Sequence, residues 1–349
     1  MASPRADGSL PSGNGQPTGG SLPPALLYAT AKMYWDEDAT QAEIARRLGI
    51  SRANVSRLLS EARRQGIVQI AVVQPISQET TNLADRLRIQ LGLHEVYLSA
   101  PLPQSARREP MIELLGRVLS PALNEALLAL SLVPGDIMLV SSGRTIYEVA
   151  RHDLPSLPGV VVAPTLGGTD QPQGWYQTNE IARLIASNIG GRASYLFAPA
   201  LPGPELYELL VRDESIQRVL HLWPYAQCAI TSVGAPPLLR EQLPQFLAPA
   251  IPSLMEAVGD ISSRFFDRLG EPVDFPGSDR LIAVELSMLQ RIPAVIAVAA
   301  GAERIAPLLA GARKKYFNQL VTDPATAEQL LAASLAFDDN PRDRDGAAS

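Results

Sequence analysis

Apolar positions along the chain follow a helical rhythm at first and later an alternation of short apolar runs with amphipathic stretches. Residues 25–35 (ALLYATAKMYW) are apolar at helical spacing and predict a first helix. Ile44, Ala45 and Leu48 share one face of a second helix, and Val55, Leu58, Leu59 and Ala62 one face of a third. Punctuation sits where these helices need it. Thr40 with Glu43 three residues on makes a capping box, Gly49 supplies a left-handed stop, and Ser51 is a good N-cap for the restart. Residues 67–73 (IVQIAVV), just before Pro75, predict the strand of a wing.

A helix over 77–91, with a Leu83, Leu87, Leu91 ridge, is expected to link this unit to the next or to pair with its twin in a dimer. A strand at 94–98, a polar loop at 101–110 and a helix at 111–130 come next. From Gly135 onward strand, turn and helix repeat, with strands expected at 136–140, 160–164, 194–197, 226–232, 281–285, 294–299 and 318–322. The fold class is therefore α/β: an N-terminal winged helix-turn-helix followed by a mostly parallel sheet covered on both faces. Ligands of such sheets bind beyond the carboxyl ends of the strands, which points to the turns Ser141–Thr145 and Leu166–Asp170.

Charge sharpens the picture. The chain of 349 residues carries a net −6, yet six arginines against two acids give residues 40–73 a net +4, so the remainder is −10. One basic patch on an acidic protein suits a nucleic-acid module joined to a ligand-binding body. In a helix-turn-helix, Thr40 and Gln41 at the start of the first helix face the phosphate backbone, while the second helix enters the major groove by its N-terminal end. That end presents Ser51, Arg52, Ala53, Asn54, Ser56 and Arg57. Arginine can bond guanine and asparagine adenine bidentately, and serine suits phosphate oxygens. The plain alternative is a helical hairpin with solvated arginines, and Arg63 and Arg64 fit that description as helix C-terminal charges.

Other chemistries find little support. Cys228 is a single cysteine in an apolar setting, a buried thiol. His94, His152 and His221 are scattered without metal-ligand spacing, so neither metal nor cofactor is expected. With no apolar run long enough to span a bilayer and no signal peptide, a cytoplasmic protein without a membrane partner is expected. Composition predicts disordered tails at 1–23 and 336–349 around a DNA-binding domain at 24–75, a linker helix at 76–92 and an effector domain at 93–335.

Several long segments, in this order, carry a family resemblance: ARRLGISRANVSRLLSEAR in the helix-turn-helix, SGRTIYEVA (142–150), QTNEIARLIASNIGGRASYLFAPAL (177–201), GDISSRFFDRLGEPV (259–273) and the stretch 291–331. With them the chain resembles the SorC family of bacterial transcriptional regulators. The resemblance implies a Rossmann-like effector domain similar to ribose-5-phosphate isomerase and glucosamine-6-phosphate deaminase, a sugar, polyol or sugar-phosphate effector, and assembly as a dimer or tetramer. It also implies a first effector-binding turn at Ser141, Ser142, Gly143, Arg144 and Thr145, whose hydroxyls, glycine, helix start and arginine suit an anion. A second turn, Gly167, Gly168, Thr169 and Asp170, departs from the family pattern, because Asp170 would repel a phosphate and suits a sugar hydroxyl. Gln177, Thr178 and Asn179 offer amides and a hydroxyl to a sugar, with Glu180 a cap or a ligand group. Asp260 is a candidate hydroxyl acceptor, with an N-cap or an ion pair to Arg264 as its alternatives. Lys314, with Lys315, is placed to reach a distal phosphate or to be solvated.

The expected function is a DNA-binding regulator of carbohydrate genes whose operator affinity is set by the effector, with no catalytic residues. A sugar-phosphate isomerase or deaminase with an appended helical domain is the alternative, using carboxylates among Asp170, Glu180 and Asp260. A protein-interaction adaptor would want a neutral or apolar face where Arg52, Asn54 and Arg57 stand.

Overall fold

The computed structural model describes residues 23–68, 78–101, 108–240 and 243–338. The expected tails and wing strand lie almost entirely outside these residues. The chain forms two compact units, divided after residue 73.

In the first unit, α1 (Pro24–Trp35), α2 (Gln41–Leu48) and α3 (Arg52–Arg64) follow one another through short turns. Thr40 accepts from the Glu43 N–H while Glu43 accepts from the Thr40 N–H at 2.9 Å, closing the capping box. Gly49 ends α2 at φ 65°, and the Ser51 hydroxyl accepts from the Asn54 N–H to start α3. Leu27, Ala31, Leu58 and Ala62 pack in one cluster and Ala39, Ile44, Val55 and Leu59 in another. Leu27, Ile44 and Val55 are fully buried, each worth about 1.5–3 kcal/mol in apolar burial.

The second unit opens with α4 (Gln78–Leu91), β1 (Glu95–Leu98), α5 (Arg108–Ala129), β2 (Ile137–Val140), α6 (Arg144–Ala150), β3 (Val161–Pro164), α7 (Thr178–Ile189) and β4 (Arg192–Ala193). It continues with α8 (Pro204–Leu210), α9 (Glu214–Leu220), β5 (Cys228–Thr231), β6 (Gly259–Ile261), β7 (Arg264–Phe266), β8 (Pro272–Val273), α10 (Leu286–Leu289), β9 (Ala294–Val298), α11 (Ile305–Arg313), β10 (Gln319–Thr322) and α12 (Pro324–Asp338). Seven strands form one parallel sheet in the order β1-β10-β9-β5-β2-β3-β4. Its strands are buried on both faces and read as continuous apolar runs for that reason. One face packs Leu139, Ala229, Val295 and Leu320; the other packs Met138, Ile230, Ile296 and Val321. Leu87 of α4 is buried in the first of these cores, with Leu83 and Leu91 packed against it, so this ridge is spent inside the unit.

Strand order reverses between β2 and β5. The chain leaves β2 toward β3 and β4 on one side, and leaves β5 toward β9 and β10 on the other. The loops after β2 and β5 therefore diverge, and open parallel sheets take their ligands at such a switch point, beyond the carboxyl ends of the strands.

Two expected strands are corrected. Pairing with β3 occurs at Arg192–Ala193, before the expected 194–197, because β3 ends in Pro164, which has no N–H to continue the ladder. Residues 281–285 make only an isolated antiparallel bridge, Leu166↔Ala283, and lie over the turn after β3 through Val284 N–H to Thr165 O and Gly167 N–H to Ile282 O. A small antiparallel sheet, β6-β7-β8, was not expected. Its first hairpin turns on Ser262 and Ser263, both left-handed at φ 51° and 61°, where sequence rules look for Asn-Gly.

Candidate DNA-binding face and effector crevice

On α3 the residues opposite the buried stripe, Arg52, Ala53, Asn54, Ser56 and Arg57, are all exposed. Arg46, Arg52 and Arg57 have no ion-pair partner among the described residues. The other arginines of the unit are engaged: Arg47 with Glu37 at 3.1 Å, Arg64 with Glu61 at 2.5 Å, and Arg63 over the Trp35 ring at 5.2 Å. Among the described residues the unpaired cations of α3 are thus at its N-terminal half, with Arg46 of α2, and the C-terminal arginines of α3 serve the fold. Thr40 and Ser51 are exposed and cap their helices: the Thr40 hydroxyl donates to Glu43 and accepts from its N–H, whereas among the described residues the Ser51 hydroxyl only accepts, from the Asn54 N–H. Gln41 is half-buried at the first position of α2. Hydrogen bonds from Thr40 hold the Glu43 carboxyl below its usual pKa of 4.5.

The candidate effector site begins at the end of β2. Ser141 is fully buried; its hydroxyl accepts from Ser232 N–H at 2.8 Å and donates to Ser142 O at 3.0 Å, while Ser232 donates to the same carbonyl at 2.7 Å. Ser141 therefore staples the two diverging loops together, a correction of its expected role as a ligand group. Gly143 stands at φ 138°, and a Cβ there would lie 2.5 Å from the Ser232 hydroxyl. Its N–H is taken by Trp175 O at 2.8 Å. Ser142, Arg144 and Thr145 remain half-exposed at the start of α6, which has no side-chain cap. The Arg144 guanidinium lies 4.7 Å from the Trp175 ring centre.

Beside α6 runs the segment 171–178, and here buried polar atoms lack partners. Gln171 Oε1, Gln173 Oε1, Trp175 Nε1 and Thr178 Oγ1 are four of the nine such atoms among the described residues. Thr231 Oγ1 and Thr322 Oγ1, at the carboxyl ends of β5 and β10, are two more. Burying an unpaired polar group costs about 1–3 kcal/mol, so this concentration suits a site filled by a polar ligand or ordered water.

The second turn is partly structural. Gly167 approaches the Ala198 and Pro199 backbone too closely for a Cβ, and Gly168 donates to Ala198 O. Thr169 and the exposed Asp170 line an open groove with Asn179, Leu196, Phe197, Ala198 and Pro199. Gln177 donates to Thr169 O at 3.2 Å and also to Gln171 O, holding the loop. Asn179 donates to Leu196 O at 3.1 Å and accepts from Leu196 N–H at 2.9 Å. In this structure both amides hold backbone groups, and Glu180 is paired with Arg183 at 2.7 Å.

Asp260 does reach this end of the sheet, but in an ion pair with Arg240, not with Arg264, the ion-pair partner among its expected alternatives. Its second oxygen accepts from Ser263 N–H at 2.8 Å, and Thr165 meets Ser262 hydroxyl to hydroxyl at 2.7 Å. Arg264 instead bonds Glu285 at 2.5 Å. Lys314 is corrected outright: it precedes β10, at the amino end of the sheet, and is paired with Glu271. A cation that the sequence reading passed over is Arg304, half-buried just before α11, with Val233 O accepting at 2.8 Å. Burial draws its pKa down while Glu303 opposes that. The strand-glycine-helix reasoning that singled out 141–145 applies equally to Val298, Gly301 and Arg304. No helix of the described residues is long and apolar enough to cross a membrane.

Comparison with known proteins agrees with this two-part layout. The sugar-binding domain family (Sugar-bind) matches residues 76–332, and sigma-70 region 4 matches 32–65. The chain is 31% identical over 312 residues to the deoxyribonucleoside regulator of Bacillus subtilis, covering 88% of this chain and 97% of that protein. It is 29% identical over 317 residues to the sorbitol operon regulator of Klebsiella pneumoniae, covering 88% and 97%. The full-length structure of that sorbitol operon regulator superposes with a TM-score of 0.68 at 28% identity, over 89% of this chain and 100% of the other.

Proposed function

The chain belongs to the SorC family of sugar-binding transcriptional regulators, and from this premise we propose that α3 reads an operator while a sugar-type effector fills the crevice between the loops after β2 and β5. The observation that carries the proposal is the exposed face of α3, where Arg52, Asn54 and Arg57 stand together over a buried stripe and neither arginine has an ion-pair partner among the described residues. Arg52 and Asn54 are the residues assigned to base edges, and Ser56, Arg57 and the first-turn N–H groups of α2 and α3 are assigned to phosphates.

One recognition helix makes a small interface, so two copies on repeated half-sites are proposed, held by the effector domains. In the crevice, Ser142, Arg144 and Thr145 take the polar head of the effector, and the unpartnered groups of Gln173, Trp175 and Thr178 take its hydroxyls. Arg144 and Arg304 favour a phosphorylated effector; Asp170 opposes one only if it faces the same pocket. The effector biases the arrangement of the oligomer, and the change in operator affinity cannot exceed its differential affinity for the two arrangements.

Catalysis is not proposed. An isomerase needs a base positioned in an enclosed site, and here Asp260 is held by Arg240 and Ser263, Glu180 is held by Arg183, and Asp170 is exposed on an open groove. The test is a fluorescence-anisotropy titration of DNA from upstream of the chain's own gene, with and without a panel of sugars, polyols and their phosphates. Sequence-specific binding shifted by one class of these supports the proposal; equal binding to random DNA, unaffected by all of them, would refute it.

A further inference from the structure

The free edge of the seven-stranded sheet is built for pairing. Arg192 donates to Val160 O and Ser194 to Val162 O at 2.8 Å, so even-numbered residues turn their backbone groups inward. Leu196 continues the pattern, with the Asn179 side-chain amide standing in for a neighbouring strand. By strand alternation Ala193, Tyr195 and Phe197 turn their N–H and C=O groups outward, where no hydrogen bond of the described residues takes them up. Their side chains make that edge apolar: Tyr195 is 40% and Phe197 77% exposed, with rings stacked at 5.9 Å.

We propose that a second copy of this chain pairs with residues 193–197 antiparallel across a two-fold axis at Tyr195, joining two sheets into one. The inference rests on the reading that operator binding uses at least two copies. What selects a second copy as the occupant is charge. Arg192 at one end of the segment and Asp170 beside the other are both exposed, and neither has an ion-pair partner among the described residues. An antiparallel register centred on Tyr195 sets residue 193 against 197 of the second copy and Arg192 against its Ala198. The groove shared by Ala198 and Asp170 then receives the arginine, twice by symmetry. The same register supplies partners to all six outward backbone groups of each copy.

Analytical ultracentrifugation of the full-length chain over the micromolar range tests this, with circular dichroism melts confirming that each variant is folded. Phe197→Lys changes a side chain that is mostly in solvent, and it should remove one interface, raising that dissociation constant about 100-fold or more. Arg192→Asp and Asp170→Arg should each weaken association, and the double variant should restore it, because every contact is then reversed on both sides. Wild-type association in all the single variants would overturn the edge proposal and leave the two-copy reading intact. A wild-type chain that stays monomeric even on operator DNA would instead overturn the two-copy reading beneath it.

Discussion

Replacing Asp260 with alanine separates two roles that the same carboxylate could have. Asp260 and Arg240 form an ion pair whose side chains are only 11% and 19% exposed, and Asp260 also accepts from Ser263 N–H at 2.8 Å. Removing the acid strands a largely buried guanidinium and a buried backbone donor. Breaking a buried pair from one side costs about 3–5 kcal/mol. With some exposure left on Arg240, a loss of about 3 kcal/mol is expected. For a domain of this size that is a fall of about 6–12 °C in melting temperature. Differential scanning calorimetry of the ligand-free protein reads this directly. Arg240→Ala/Asp260→Ala should lose less than the sum of the two single variants, by about 1 kcal/mol or more, since the second deletion removes the stranded charge. If Asp260→Ala melts within about 2 °C of wild type and only effector affinity falls, Asp260 is a ligand group and its structural assignment is wrong.

Arg52→Ala or Asn54→Ala should lower specific operator binding by about 1–3 kcal/mol while sparing non-specific binding; an equal loss of both would reassign these side chains to phosphates. Arg144→Ala should weaken the effector response about tenfold or more with operator affinity in the absence of effector unchanged, measured by the same anisotropy titration. A response equal to wild type would remove the start of α6 from the site. Gly143→Ala, at φ 138° and facing the Ser232 hydroxyl at 2.5 Å, should destabilise the second unit by about 1–3 kcal/mol, and a melt unchanged by this substitution would contradict the geometry of the turn. Glu43 is held below its usual pKa of 4.5, so its contribution is present above about pH 4.5 and is lost as pH falls through the lower, folded value. The gap in melting temperature between wild type and Glu43→Gln should therefore narrow on acidification below that point, and a gap that widens would refute the sign.

The helix-turn-helix was legible because its determinants are local. Thr40 with Glu43, Gly49 and Ser51 act within one turn of where they stand, and the stripe Val55, Leu58, Leu59, Ala62 needs only helical periodicity to be seen. The buried strands were legible as apolar runs. What failed depended on partners far away in sequence. Residues 194–197 look like a strand and are extended, but whether they join the ladder is decided by Pro164, thirty or so positions earlier. Residues 281–284 are apolar because they roof the Thr165–Gly167 turn, a contact without periodicity. At the candidate site, the strand-glycine-helix turn that carries Arg144 and Thr145 was readable from the sequence, because β2, Gly143 and α6 are local in the chain. The employment of Asn179 by Leu196, of Gln177 by the loop and of Asp260 by Arg240 was not, since an amide or carboxylate suited to a sugar is equally suited to the backbone.

The clamp at Asn179 also suggests how a small ligand could reach an interface between copies. Thr178, whose buried hydroxyl is unpartnered, is the first residue of α7, and Asn179 follows it directly. Among the described residues only the Asn179 side-chain amide meets the Leu196 N–H and C=O on the inner side of the edge segment. A ligand that bonds the loop 171–178 and shifts the first turn of α7 must therefore strain or reseat Leu196, between Tyr195 and Phe197. The stapled floor of the crevice, Ser141 to Ser232, has less freedom to respond, being fully buried at Ser141 and bonded on both sides. Coupling through a pair of amide bonds is bounded by what those bonds are worth, about 1–3 kcal/mol together, which matches the 5- to 150-fold affinity changes typical of allosteric control. Asn179→Ala should then reduce the effect of effector on operator affinity toward zero while effector still binds. Full coupling in that variant would place the transmitting element elsewhere.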